Sequence, residues 1–175
     1  ITILNPNMQN DIKEKIQNTL QIEAKALFQL SEHINDEVCQ AVSQIYQSKG
    51  RLIVTGIGKS AIIAQKIVAT SNSTGTIAVF THAADAIHGG VGMIQTEDIV
   101  LCISKSGDTP EIKVLAPLIK GFGNILIGMV SNDSSFLAKQ SDYVIHLPMD
   151  SEADPNNLAP TTSTTLQVAM GDAIA

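Results

Sequence analysis

Five short apolar runs after Gly50 constrain the fold more than any other feature of this 175-residue sequence. Each run is rich in β-branched residues and nearly continuous, which is typical of strands buried on both faces of a parallel sheet. Segments with helical spacing separate the runs, and this alternation of strand and helix predicts βαβ units. The runs are 52–54, 77–80, 99–103, 125–130 and 143–147, and the helical segments are 59–72, 110–121, 134–140 and 163 onward, with a shorter turn near 83–87.

The pattern predicts an α/β fold of the flavodoxin-like type, a three-layer αβα sandwich around a five-stranded parallel sheet. Ahead of Gly50, apolar residues at helical spacing predict two amphipathic helices within 9–49. We expect one domain over 1–175, with a helical part over 1–49 and the αβα core over 50–175. The sequence starts without Met and stops inside an apolar periodic segment, so we expect a trimmed or truncated chain.

Charge and composition exclude several classes of partner. The formal net charge is −6 and no basic stripe is visible, so neither nucleic acid nor an anionic membrane surface is expected. No apolar run approaches the ~20 residues that a membrane-spanning helix needs. The two cysteines, Cys39 and Cys102, do not form a CxxC pair, and Cys102 lies in an apolar run. We therefore predict a buried free thiol and a reducing, cytoplasmic location.

Ligands of open α/β sheets bind at the carboxyl ends of the strands, so the segments after the runs form the candidate site. The segment SKSGDTPE at 104–111 carries the hydroxyls of Ser104, Ser106 and Thr109 together with Gly107. Thr109 is the expected N-cap of the following helix, but one cap needs only one such residue. Three hydroxyls and a glycine at a helix N-terminus therefore favour a phosphate cradle.

The segment TGIGKSA at 55–61 is a glycine turn that resembles two nucleotide-binding motifs without matching either. A Walker A loop needs a glycine where Ile53 stands. The pattern also fits the G-x-G-x-x-A fingerprint of dinucleotide-binding folds, but Thr81 and His82 occupy the place of the ribose-binding acid. No cofactor is therefore predicted. The turn still leaves free N–H groups at a helix start, which suits an anion or a sugar hydroxyl.

These motifs occur together in one known family. SKSGDT resembles the S-x-S-G-[DE]-[ST] phosphate loop of SIS (sugar isomerase) domains, and GIGKSA, HAADAIHGGVGM and LAPTTSTT stand in order along the chain. The combination resembles the arabinose 5-phosphate isomerase branch of the family. The resemblance implies an isomerase that interconverts D-ribulose 5-phosphate and D-arabinose 5-phosphate through an enediolate and supplies Kdo for lipopolysaccharide, and this chemistry does not require a metal. Family members often carry a pair of CBS modules, and none lies within these 175 residues.

The resemblance also implies roles for individual residues. Lys59 would stabilise the enediolate oxygen, and His88 would relay protons or bind sugar hydroxyls. Glu111 and Glu152 would act as acid–base groups, and which of them takes the carbon-bound proton stays open. The further residues expected to contact the substrate are Gly58, Ser60 and Thr161.

Three further expectations concern residues around this site. Lys105 adds positive charge near the cradle, while strand alternation predicts that its side chain points away from Ser104 and Ser106. His82 and His88 could hold a metal only adventitiously, because their spacing is not a metal signature. The family places another histidine downstream of LAPTTSTT, beyond Ala175, so the visible catalytic set is expected to be incomplete.

The resemblance further implies a homodimer or homotetramer with sites shared between subunits, and feedback by a later intermediate such as CMP-Kdo. Two alternatives stay open. One is a SIS sensor that binds a sugar phosphate without turning it over. The other is a SIS isomerase for a different substrate, such as phosphoheptose. The joint presence of Lys59, Glu111 and Glu152 favours the enzyme.

Overall fold

A sheet of five parallel strands forms the centre of the computed structural model, which describes residues 6–175. The strands are β1 Leu52–Gly56, β2 Ala78–His82, β3 Ile99–Ile103, β4 Ile125–Val130 and β5 Tyr143–His146. Their order in the sheet is β2-β1-β3-β4-β5, and every neighbouring pair is parallel. All residues of β1 and β3 are buried, as expected for central strands covered on both faces. The predicted α/β fold with five parallel strands is confirmed.

Seven α-helices and one short 3₁₀ helix surround the sheet in the part of the chain that the structure describes. The predicted pair of N-terminal helices is present, and the second begins at the N-cap Asn35, whose side chain accepts a hydrogen bond from Val38 N. The turn predicted near 83–87 is a short helix followed by the 3₁₀ helix Gly90–Met93. The α-helices are α1 Pro6–Glu32, α2 Asp36–Gln47, α3 Lys59–Thr74, α4 Ala83–Ile87, α5 Pro110–Gly121, α6 Phe136–Gln140 and α7 Thr162–Ile174.

Two separate apolar clusters lie on the two faces of the sheet. On one face, Leu101 of β3 belongs to the cluster formed with α1, α2, α3 and α7. On the other face, Val100 and Cys102 of the same strand belong to the cluster formed with α4, α5 and α6. The alternation of neighbouring β3 residues between two cores shows the three-layer arrangement directly. Cys102 is a buried free thiol, as predicted, and burial raises its pKa to about 12.

The strand order places a topological switch point between β1 and β3. The chain leaves β1 toward β2 on one side, and it later enters β3 on the other side of β1. Loops that leave two such strands diverge, and a crevice opens between them at the carboxyl edge of the sheet. The loops after β1 and β3 contain the two glycine-rich segments singled out by sequence. Among the described helices, none is both long enough and apolar enough to cross a membrane.

The contact between α3 and α7 depends on a glycine. A Cβ at Gly171 would lie 2.2 Å from Cγ1 and 2.4 Å from Cδ1 of the fully buried Ile67. We expect Gly171→Ala to lower the free energy of unfolding by about 1–3 kcal/mol, the usual cost of overpacking a core. Urea denaturation measures this. Gly121→Ala is the matched control, because a Cβ there meets nothing within 4 Å. A Gly171→Ala protein as stable as the unsubstituted chain would contradict this packing.

Candidate active site

The loop between β3 and α5 holds three hydroxyl groups beside a helix N-terminus. Ser104 Oγ accepts a hydrogen bond from Gly107 N at 3.1 Å, and Ser106 Oγ accepts one from Asp108 N at 3.3 Å. Both hydroxyls therefore keep their own hydrogens for donation. Thr109 is the N-cap, as predicted, but its side chain makes no capping bond, and within the described residues its buried Oγ1 has no partner. The loop can thus offer three O–H donors to an anion, and we call Ser104, Ser106, Gly107 and Thr109 the cradle.

Gly107 allows this loop to pack closely against the start of α6. Its φ is 67°, in the left-handed region that favours glycine. A Cβ at this position would lie 2.2 Å from Ser135 Oγ and 2.6 Å from Ser135 Cβ. The Gly107 carbonyl oxygen accepts a hydrogen bond from Leu137 N at 3.0 Å. The cradle is therefore anchored to α6, and a larger residue at position 107 would displace it.

The glycine turn after β1 places a lysine at the first position of α3. Gly58, the N-cap, has φ 59° and ψ −129°, a combination that only glycine adopts readily. No side chain caps this helix end. Lys59 is exposed and Ser60 is half-buried. A cation at a helix N-terminus opposes the helix dipole, so the helix itself gains nothing from Lys59 at this place.

A cleft of about 190 Å³ joins these two loops to the start of α7. Three cavities are larger: two, of about 410 and 500 Å³, lie at the opposite edge of the sheet, and one of about 370 Å³ lies between α3 and α7, and none contains a predicted site residue. We place the candidate site in the smaller cleft because the predicted chemistry converges there. Its lining residues are Ile57, Lys59, Ser60, Ser104, Lys105, Ser106, Thr109, Pro160, Ser163 and Thr164.

The expected charge of Lys105 near the cradle is present, but the predicted direction of its side chain is wrong. Its side chain lines the same cleft as Ser104 and Ser106, and its Nζ lies 2.7 Å from Glu152 Oε1. The two-residue alternation applies only within a strand, and β3 ends at Ile103. The loop beyond it turns through Gly107, and the long lysine stem reaches across to the segment after β5. No local sequence signal pairs a lysine with an acid so far along the chain.

Glu152 is buried, although a surface position is usual for an acid in a long loop. Its Oε2 accepts hydrogen bonds from Thr161 N and Ser163 N, and its Oε1 accepts from Ser163 Oγ at 2.6 Å. Burial raises the pKa of Glu152, but the hydrogen bonds from Lys105, Ser163 and Thr161 outweigh it and lower the pKa to about 2. The carboxylate is therefore ionised and ties the segment after β5 to the first turn of α7.

Of the four predicted catalytic residues, Lys59 lines this cleft, and Glu152 contacts the lining residues Lys105 and Ser163. Glu111 stands in the first turn of α5, directly after the cradle, and is half-buried. His88 is exposed at the end of α4. His82 caps α4, because its Nδ1 accepts a hydrogen bond from Ala84 N. Thr161 lies beside the cleft, and its hydroxyl accepts from Ala153 N. No group of three or more potential metal ligands occurs among residues 6–175.

Two hydroxyl-bearing residues of the cleft were not among the predicted site residues. Ser163 and Thr164 line it from the first turn of α7. The hydroxyl-rich run TTSTT after a long irregular segment was a usable signal for these two residues, because hydroxyls at a helix start often face a ligand. The contact of Lys105 with Glu152 had no such signal, since it depends on a partner from another loop.

This chain is similar to one protein family and to several curated proteins. The SIS domain family matches residues 44–175. The chain is 47% identical over 161 residues to the arabinose 5-phosphate isomerase KpsF of Escherichia coli O6:H1 (strain CFT073), covering 91% of this chain and 49% of that protein. It is 42% identical over 172 residues to the arabinose 5-phosphate isomerase KdsD of Pseudomonas aeruginosa, covering 98% and 53%. The chain spans about half the length of these curated relatives.

A solved structure is similar over nearly the whole chain. It is the E. coli CFT073 protein c3406 in complex with arabinose 5-phosphate, with a TM-score of 0.91 and 36% identity, covering 98% of this chain and 89% of that one.

The low pKa of Glu152 predicts a specific pH dependence of stability. The pKa falls from an ordinary value of 4.5 to about 2 on folding, so its contribution is full above pH 4.5 and is lost as the pH falls toward 2. This shift corresponds to about 3 kcal/mol. We expect Glu152→Gln to be less stable than the unsubstituted protein at pH 7, with the difference shrinking between pH 4.5 and pH 2. Urea denaturation across this range measures it. A difference that does not vary with pH would contradict the assignment.

Proposed function

The chain belongs to the SIS domain family, and on that premise we propose that it is an aldose–ketose isomerase acting on D-ribulose 5-phosphate and D-arabinose 5-phosphate. The observation that supports this most is the cradle, where Ser104, Ser106 and Thr109 keep three hydroxyl donors beside the N-terminus of α5. Such a group of donors fits a phosphate dianion. The choice of arabinose 5-phosphate as the sugar rests on the names of two relatives, which are 47% and 42% identical to this chain.

The reaction needs a base, a proton relay and a group that stabilises negative charge. In the aldose-to-ketose direction, a base removes the hydrogen from C2, and the electron pair of that C–H bond forms the cis-enediolate. A proton then returns to C1 while the hydroxyl proton on O2 is transferred to O1. Lys59 lines the cleft, and its ammonium group would stabilise the enediolate oxygen. The phosphate supplies binding energy that orients the reacting end.

We assign the carbon-bound proton to Glu111 rather than Glu152. A general base works best when its pKa lies near the operating pH, and hydrogen bonds hold the pKa of Glu152 at about 2. Glu111, in the first turn of α5 directly after the cradle, is the other acid of the predicted pair and takes this role. His88 would relay protons between the two sugar oxygens.

Glu111 and His88 do not line the cleft of one chain, which supports a site completed by a second subunit. We therefore include a homodimer or homotetramer with shared sites in the proposal. An exposed apolar stripe on α1 offers a surface for this contact, and light scattering that shows only a monomer would remove this part. The stripe consists of Met8, Ile12, Ile16 and Leu20.

The proposal extends to the metabolic setting. Arabinose 5-phosphate made in the cytoplasm would supply Kdo for lipopolysaccharide, and a later intermediate such as CMP-Kdo would act as a feedback inhibitor. The names of the relatives in E. coli and P. aeruginosa support the activity on which this setting depends. Addition of CMP-Kdo to the assay below should lower the rate, and an unchanged rate would remove the inhibitor from the proposal.

A coupled assay with ribulose 5-phosphate on the full-length protein tests the function. We expect arabinose 5-phosphate to form and the C1 hydrogen of the substrate to exchange with solvent. Binding of the sugar phosphate without exchange would favour the sensor. Exchange of the substrate hydrogen with solvent only when a phosphoheptose is supplied would favour a SIS isomerase for that sugar phosphate.

Ser106→Ala should raise KM for the sugar phosphate by about tenfold, because one hydrogen bond to a charged group is lost. The value of kcat should change less, since the hydroxyl lies at the phosphate and not at the reacting carbons. Steady-state kinetics measures both constants. Ser73→Ala, an exposed serine on α3, is the control and should leave both unchanged. A Ser106→Ala enzyme with unchanged KM would contradict the cradle.

Glu111→Gln should lower kcat by about 10²-fold or more, the usual scale for removal of a general base. The amide keeps the shape of the side chain but cannot accept the proton. Glu97→Gln, at the opposite edge of the sheet, controls for the loss of one negative charge. A nearly normal rate in Glu111→Gln would remove this residue from the mechanism.

A further inference from the structure

We propose that Lys105 is a ligand of the substrate phosphate and that the buried carboxylate of Glu152 is the positioning group that holds its ammonium in the cleft. This inference rests on the proposed function, because it assumes that the cleft takes a sugar phosphate. It goes beyond that function by giving Lys105 a contact with the substrate and by assigning Glu152 a role other than proton transfer.

The position of Lys105 places its charge where the phosphate would bind. It stands between Ser104 and Ser106 in the cradle and lines the cleft together with both of them. Its side chain is 43% exposed, whereas the Glu152 side chain is fully buried. An ammonium group has three N–H donors, and Glu152 is its only acceptor among the residues that the structure describes. Two hydrogens therefore remain for an anion in the cleft.

Glu152 has enough donors to remain ionised without depending on Lys105 alone. Ser163 supplies its backbone N–H and its hydroxyl, and Thr161 supplies its backbone N–H. The buried carboxylate is thus fixed from the α7 side, with Oε1 also directed to the lysine. A half-exposed lysine otherwise moves freely on its four-carbon stem, and ordering it costs side-chain entropy. The fixed carboxylate supplies that ordering before any ligand arrives.

The two cations of the cleft can each neutralise a different negative charge of the substrate. Lys59 and Lys105 are the two cations that line it, and they come from different loops. A sugar phosphate carries two negative charges at one end and develops a third at the reacting end in the enediolate. Lys105 is next in sequence to Ser104 and Ser106, whose hydroxyls would bind the phosphate, so its ammonium group would neutralise the dianion. Lys59 begins a different helix and remains available for the developing oxyanion.

The experiment measures the Kd for inorganic phosphate by calorimetry at low ionic strength, and KM and kcat for ribulose 5-phosphate, all on the full-length protein. Lys105→Met keeps the length of the side chain and removes the charge, so we expect Kd and KM to rise about tenfold, with a smaller change in kcat. Lys105→Arg should stay within about threefold, because the charge is retained. Lys139→Met, an exposed lysine on α6, is the matched control for net charge.

A double-mutant cycle tests the positioning role. Glu152→Gln should weaken phosphate binding in the unsubstituted protein, but it should not weaken binding further when Lys105 is already Met, because its effect passes through that lysine and the lost negative charge no longer has a partner. A merely structural role would lower phosphate affinity by the same factor in both backgrounds, and this result would overturn the positioning role. If Glu152→Gln fails to fold by circular dichroism, Glu152→Asp takes its place, since it keeps the charge and withdraws the carboxylate by one methylene.

The outcomes separate this inference from the proposed function. Unchanged phosphate affinity and KM in a folded Lys105→Met enzyme that isomerises ribulose 5-phosphate would overturn the inference and leave the function standing. Weaker phosphate binding by Lys105→Met in a protein that shows no isomerisation would support the inference and overturn the function.

Discussion

The candidate site exists because five parallel strands end at one edge of the sheet, with the switch point between β1 and β3. The loop after β1 contributes Lys59, the loop after β3 contributes the hydroxyl cradle, and the first turn of α7 closes the cleft. The lining residues therefore come from three segments that are far apart in the sequence. The buried core strands fix the distances between the segments, so the precision of the site comes from the sheet.

The buried carboxylate of Glu152 connects the first turn of α7 to the cradle. Removing a carboxylate from water costs several kcal/mol unless donors replace the lost hydration. Glu152 meets this condition with bonds from Thr161, Ser163 and Lys105. The same bonds that satisfy the carboxylate fix the start of α7 against the loop after β3. The stability of this region and the shape of the cleft therefore depend on one ionised group, and lowering the pH weakens both together.

The sequence predicted the features that depend on local chemistry. The strands followed from continuous β-branched runs, and the cradle followed from three hydroxyls and Gly107 ahead of a helix. The Lys105–Glu152 pair could not be predicted, because it joins two loops far apart in the chain and breaks the strand alternation expected of Lys105. The sequence also did not predict that Glu111 and His88 lie outside the residues that line the cleft. Their motifs identify residue types, while their distances depend on how helices, and in our proposal subunits, pack together.

The most direct measurement is a crystal structure of the full-length protein soaked with D-arabinose 5-phosphate. The phosphate is expected within hydrogen-bond distance of Ser104, Ser106 and Thr109, with the sugar extending toward Lys59. Density for the phosphate elsewhere would contradict the assignment of the site. The cavities at the opposite edge of the sheet, beside Lys49 and Arg51, are the clearest such place, because they are larger and lie next to basic side chains.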